Sequence, residues 1–245
     1  MNSEKIELSG RICRFFDGGD TGVVLRGVPE ADWDDKRIAQ QNRLLADTGV
    51  STFVYPVGEW NDDFSPWPAV TRAGTFGGQA EKTLAFLREE AMPFLRAQKD
   101  TPLILAGYSL AGLFTLWCMG RGAGFDGYVS CSGSLWYPGW DQYMKTARAD
   151  RKCCVYLSLG DREAATRNPD LWRVEEMTVA QSLKLVADRN VTDTVLVMEK
   201  GGHFAEPDAR LARGIRWAAE HVGHVTAPER REMDSGDLLQ GRGHS

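Results

Sequence analysis

Short apolar runs alternate with longer amphipathic stretches along most of this chain. Gly22 to Leu25, Ser51 to Val57, Pro102 to Ala106, Phe125 to Cys131, Cys153 to Leu159 and Thr194 to Met198 are continuous, mostly apolar runs. Runs of that length read as strands buried on both faces. Helical patterns lie between them over Asp35 to Asp47, Gly78 to Arg96, Leu113 to Met119, Val174 to Arg189 and Arg210 to Val222. In the second of these Leu84, Leu87, Ala91 and Leu95 share one face. Lys5 to Phe16 alternates with the period of edge strands. Strand-helix alternation predicts the α/β class: a mostly parallel, twisted sheet with helices on both faces. No internal repeat or linker interrupts it, so residues 1–225 are expected to form one domain. Residues 226–245 are polar, contain Pro228 and lack apolar periodicity, which predicts a disordered tail.

Composition narrows the partners. The chain has 245 residues, is 42% hydrophobic, and carries a net charge of −5 with pI near 5.5. That balance argues against a nucleic acid or an anionic membrane as partner. No apolar run is long enough to span a bilayer. The polar start, Met1-Asn2-Ser3-Glu4-Lys5, has no secretory pattern, so a cytoplasmic protein is expected. The five cysteines (13, 118, 131, 153 and 154) are odd in number and lack metal-ligand spacing. Reduced thiols are the expectation.

The chemistry concentrates at Gly107-Tyr108-Ser109-Leu110-Ala111-Gly112, between an apolar strand and an apolar helix. A serine on such a turn is what a nucleophile elbow requires. Residues two positions to either side must be small, and Gly107 and Ala111 are. The usual pattern has Gly at the second position. A nucleophilic serine needs a base, and an acid to orient it. Among His203, His221, His224 and His244, His203 stands out in Gly201-Gly202-His203-Phe204, just past a strand. His221 and His224 fall at a helix end, which they would cap. The preceding strand ends in Gly160-Asp161-Arg162-Glu163. Asp161 and Glu163 are both available as the acid, and spacing alone does not choose. Asp126 is too close to the elbow, and Asp170, Asp188 and Asp193 have helix or turn settings. Oxyanion donors are expected from the backbone N–H of Leu110 and, in the loop Arg26-Gly27-Val28-Pro29, of Val28.

These blocks resemble the esterase branch of the α/β-hydrolases, which includes enterochelin (siderophore) esterases, S-formylglutathione hydrolase and feruloyl esterase domains. The resemblance rests on the elbow, on Ser130-Cys131-Ser132-Gly133-Ser134-Leu135-Trp136, on Gly160 to Glu163 and on Gly202-His203-Phe204. The blocks fall in the family's order, between residues of about 22 and 220. It implies the α/β-hydrolase fold and hydrolysis of a small-molecule carboxylic ester through a Ser-His-acid triad and an acyl-enzyme, without metal or organic cofactor. It does not imply one substrate, because its members cleave very different esters; a small, aromatic or siderophore-type ester is the expectation, the aromatic part resting on the chain's tryptophan-rich segments. It favours Glu163 over Asp161, because many such hydrolases place the acid three residues past the glycine. Members commonly carry His-Gly at the first oxyanion loop, where this chain has Arg26-Gly27. An acyltransferase, or a non-catalytic binding module, is the alternative on the same scaffold.

Trp60, Phe64 and Trp67 in the loop Gly58 to Pro68, Trp136 after the strand that follows the elbow, and Tyr108 beside the nucleophile are expected to wall the substrate site. The tryptophans also fit a plain cover over the core rim. About twenty residues separate Gly133 from Lys152, too few for a lid domain. Oligomeric state leaves no signature in the pattern.

Overall fold

The structure, a computed structural model, describes residues 3–226. The alternating N-terminal stretch folds into an antiparallel hairpin, β1 (Ser3–Leu8) and β2 (Arg11–Phe16). There follow β3 (Gly22–Pro29), α1 (Asp35–Arg43), β4 (Val50–Val57), a single helical turn α2 (Trp60–Asp63), and a small hairpin of β5 (Pro68–Thr71) and β6 (Gly74–Gly77). Helix α3 (Ala80–Phe86) runs through a π-helical turn, Leu87–Ala91, into α4 (Met92–Gln98). The remaining elements are β7 (Leu103–Tyr108), α5 (Leu110–Gly120), β8 (Gly127–Cys131), α6 (Trp140–Thr146), β9 (Cys153–Gly160), α7 (Val174–Val186), β10 (Val191–Glu199) and α8 (Pro207–Thr226).

Eight strands make one sheet in the order β1-β2-β4-β3-β7-β8-β9-β10. From β4 to β10 every neighbouring pair is parallel, while β1 and β2 join antiparallel at one edge. The continuous apolar runs are explained by burial on both faces: every residue of β4, β8 and β9 is buried. On one face Leu84, Leu87, Leu95, Leu113, Phe114, Trp117 and Trp140 pack on the sheet. On the other, Ile215, Ala218, Ala219 and Val222 of α8 cover Ile104, Val129, Cys154 and Tyr156, and Ile38 of α1 meets Phe16 and Val54.

Three departures from the expected pattern have local causes. The helix expected over 78–96 is interrupted by the π turn, where Met92 N–H donates to the Leu87 carbonyl five residues back. The next residue, Pro93, has no N–H to continue the α ladder. The loop expected over 58–68 contains the α2 turn and leads into the β5–β6 hairpin. Helix α8 begins at Pro207, a turn earlier than expected. The expected tail, 226–245, lies outside the described residues except for Thr226 at the end of α8.

Candidate active site

Ser109 sits between β7 and α5 with φ 58° and ψ −121°, a region costly for a residue with a Cβ. The turn is held by Ser109 N–H to the Cys131 carbonyl and Ser134 N–H to the Ser109 carbonyl, both at 3.0 Å. A Cβ at Gly107 would stand 2.2 Å from the Ala111 carbonyl oxygen, so only glycine fits there. Ala111 is accommodated and buried. Ser109, Ser132 and Glu206 are three of the four described non-glycine residues with positive φ. Ser109 and Ser132 border this site, where strain is commonly stored, and Glu206 lies three residues past His203 at the turn into α8.

His203 Nε2 lies 3.0 Å from Ser109 Oγ. On its other side Nδ1 lies 2.7 Å from Glu163 Oε2. The second carboxylate oxygen, Oε1, accepts from Ser132 Oγ (2.6 Å), Gly160 N–H (2.7 Å) and Arg210 Nη1 (3.2 Å). The Glu163 side chain is 3% exposed. Burial alone would raise its pKa, and is the largest single influence on it. Hydrogen bonds from His203, Ser132 and the Gly160 N–H together outweigh it and hold the carboxyl below its usual value.

The other candidates are placed elsewhere. Asp161 is half exposed, accepts from Gly201 N–H at 2.8 Å and lies near Arg162, so it braces the turn before His203 rather than the imidazole. His221 stacks on Trp217 at 4.0 Å and contacts its carbonyl, and His224 lies 3.7 Å from Asp193. His244 is outside the described residues. Asp126 accepts from Leu103 N–H and pairs with Arg151. Asp170 and Asp188 accept from backbone N–H groups. All five cysteines are buried and unpaired. No group of three or more His, Cys, Asp and Glu among the described residues is arranged to hold a metal. No described helix is long and apolar enough to cross a membrane.

The first oxyanion loop differs from expectation. Residues 26–29 do not leave β3; they stay paired with β4, Val28 opposite Pro56. Pro56 has no N–H, so that pair is made by Val28's own N–H and carbonyl, which turns them toward β4. Strand alternation turns Gly27 the other way, like Val23, whose N–H donates across to Pro102 beside β7. Pairing of β3 with β7 ends at Leu25. The amide left on the open edge is therefore Gly27's and not Val28's. At the second position, Leu110 is the first residue of α5, where N–H groups have no partner within the helix.

Two cavities meet over Ser109. One, of about 350 Å³, extends past Arg26, Gly27, Val28, Tyr108 and Asp208. The other, of about 290 Å³, is lined by Phe76, Trp136, Leu171 and Val174. Trp60, His203 and Phe204 border both. Of the residues expected to wall a substrate site, Trp60, Trp136 and Tyr108 line these cavities. Phe64 does not: it is fully buried, edge-on beneath Trp60 at 4.8 Å and against Phe114 at 5.0 Å. A Cβ at Gly27 would meet its ring at 2.5 Å, so Phe64 fills the space that glycine leaves. Trp67 also lines neither cavity. Its Nε1 donates to the Pro138 carbonyl at 2.7 Å and its ring packs on Tyr137 and Tyr143, tying two loops together.

Arg210 and Phe76 border the site without having been singled out in the sequence, and Ser132 and Phe204 had been named only as members of longer motifs with no role of their own. Arg210 had a readable signal. It continues, at four-residue steps, the buried stripe Gly214, Ala218 and Val222 of α8, where an arginine is out of place unless paired.

A family model described as "Putative esterase" matches residues 24–211. No curated protein matches the sequence significantly. Among solved structures, an IroE-like serine hydrolase from Shewanella oneidensis superposes with a TM-score of 0.69 at 16% identity, over 88% of this chain and 79% of that one. The siderophore hydrolase EstA from Aspergillus nidulans gives 0.67 at 16% identity, over 90% and 94%. Est1E from Butyrivibrio proteoclasticus gives 0.54 at 12% identity, over 91% and 98%. These likenesses establish the α/β-hydrolase fold. With the family match over most of its length, the chain belongs to this esterase family of α/β-hydrolases and is an esterase.

Proposed function

We propose that this chain is a serine esterase working through Ser109, His203 and Glu163. The observation that carries the reading is the unbroken run from Ser109 Oγ to His203 Nε2 (3.0 Å) and from His203 Nδ1 to Glu163 Oε2 (2.7 Å). His203 takes the hydroxyl proton as Ser109 Oγ attacks the ester carbonyl carbon. Glu163 holds the imidazole tautomer and stabilises the imidazolium. The N–H groups of Leu110 and Gly27 receive the oxyanion. Collapse of the tetrahedral intermediate breaks the bond to the alkoxy oxygen, which leaves as an alcohol with the proton from His203. Water, deprotonated by His203, then attacks the acyl-enzyme and frees the acid and Ser109.

The two cavities suit an ester with a sizeable group on each side of the carbonyl. Phe76 and Trp136 favour an aromatic part in the second cavity. Neighbours named siderophore hydrolases support a siderophore-type ester as the substrate class. An intracellular location agrees with five buried, unpaired cysteines. The test is a fluorophosphonate probe with a panel of p-nitrophenyl, feruloyl and siderophore esters. Native protein should label and turn over, and Ser109→Ala should fold, remain unlabelled and lose turnover by several orders of magnitude. Labelling that survives in Ser109→Ala removes this serine from the mechanism.

A further inference from the structure

Arg210 is 1% exposed, one of the largest fully buried side chains in the protein. Its guanidinium lies where four neighbouring parallel strands end. Nη1 donates toward Tyr108 OH at the end of β7 (3.4 Å), Ser132 Oγ after β8 (3.3 Å) and Glu163 Oε1 after β9 (3.2 Å). Nη2 donates to the Lys200 carbonyl after β10 (3.1 Å). Space for it is made by glycine. A Cβ at Gly160 would stand 3.0 Å from Nη1. Glu206, with φ 50°, turns the chain into α8, and Arg210 N–H donates back to its carbonyl at 2.9 Å.

Stability alone does not explain this residue. Burying an ion pair costs desolvation that its own attraction barely repays, and well-packed apolar residues often hold a fold equally well. An apolar side chain cannot fix the rotation of a carboxylate. Three donors on Oε1 leave Oε2 as the oxygen facing His203. Two of them depend on Arg210: its own N–H, and the Ser132 hydroxyl, which accepts from Arg210 while donating to Glu163. Tyr108 OH likewise accepts from Arg210 and donates to the His203 carbonyl at 2.6 Å. A single guanidinium therefore touches the acid, the loop that carries the base and the residue before the nucleophile.

We propose that Arg210, through its contacts with Glu163, Ser132, Tyr108 and the Lys200 carbonyl, is a positioning residue that aligns Glu163 and the His203 loop for the reaction of Ser109. It touches no reacting atom and acts through Glu163, so the proposal rests on the serine-esterase reading.

The test compares native protein with Arg210→Met, Arg210→Lys, Arg210→Ala and a Glu163→Gln/Arg210→Met pair, by fluorophosphonate labelling and p-nitrophenyl ester kinetics. Arg210→Met should keep its near-ultraviolet circular dichroism and its KM within about twofold. Its turnover should fall by at least ~10-fold, short of the roughly 10,000-fold seen when an orienting acid is itself neutralised in a related triad. The acidic limb of kcat/KM should move to higher pH, because a cation beside the carboxylate has gone. Added guanidinium should restore part of the turnover of Arg210→Ala. In the Glu163→Gln background Arg210→Met should cost little more. Native turnover with an unmoved acidic limb in Arg210→Met overturns the proposal. So does an undiminished loss in the Glu163→Gln background. If Arg210→Met fails to fold, Arg210→Lys decides: it keeps the charge but cannot reach four acceptors, and native turnover there overturns the proposal. Failure of native protein to label at Ser109 would instead overturn the esterase mechanism itself.

Discussion

The phenol of Tyr108 donates to the backbone carbonyl of His203 at 2.6 Å. The residue before Ser109 thus holds the backbone of the loop that carries the imidazole, 95 positions further along the chain, while the imidazole itself reaches Ser109 Oγ.

Tyr108→Phe removes that bond and leaves the ring volume in place. A net hydrogen bond contributes about 1 kcal/mol. Turnover should fall by roughly fivefold, with little change in melting temperature. Steady-state kinetics beside a thermal melt check this. Native turnover would mean that the loop is held without the phenol.

The two carboxylates of the β9 turn should separate cleanly. Glu163→Gln keeps the shape and spoils the tautomer, and turnover should drop by about three to four orders of magnitude. Asp161→Asn touches only the brace to Gly201 N–H, and the loss should stay within about tenfold. The reverse ranking would reassign the acid. Near-native turnover in both would leave Ser109 and His203 acting as a dyad.

Stability should depend on pH through Glu163. Its carboxyl is held below the usual 4.5. A depressed carboxyl stabilises the fold at pH values above its unfolded pKa. That contribution is lost as pH falls through the lower, folded value. Glu163→Gln lacks this contribution at every pH. The gap in melting temperature between native and Glu163→Gln should therefore be widest near neutrality and narrow below about pH 4.5. A gap that stays constant down to pH 3 would show that the carboxyl is not depressed.

Phe64 and Trp60 touch, yet their replacements should read differently. Phe64→Ala opens a void in the core and should cost about 3–5 kcal/mol, roughly 10 °C in melting temperature for a domain of this size. Trp60→Ala strips a wall shared by both cavities. It should raise KM for bulky esters with a smaller loss of stability. Thermal melts and KM across an ester series distinguish the two.

Much of this site was legible because each group follows a continuous apolar run. Ser109 and His203 stand on small-residue turns past such runs, and strands buried on both faces are hard to misread. The choice between Asp161 and Glu163 was not legible from spacing. The residues share one turn, and what separates them is tertiary: one meets Gly201, the other His203. Arg210 escaped notice because the helical pattern reads as starting at that residue, where an arginine passes for a solvated end. The turn of α8 that precedes it puts it on the buried stripe instead. Phe64 looked like site lining because the α2 turn, which swings it inward, is too short to leave a period. Val28 looked like a loop donor because nothing in its own segment shows that β4 continues beside it.

Ser109 leaves β7 and His203 leaves β10, and β8 and β9 lie between them. At about 4.8 Å per strand the two strand ends stand roughly 14 Å apart. The segment from Lys200 to Glu206 closes that distance by folding back over the sheet edge. The sheet therefore does not set the spacing of base and nucleophile; the length of this short return does. One residue more or fewer there would leave every strand paired and the serine exposed, with the imidazole out of reach.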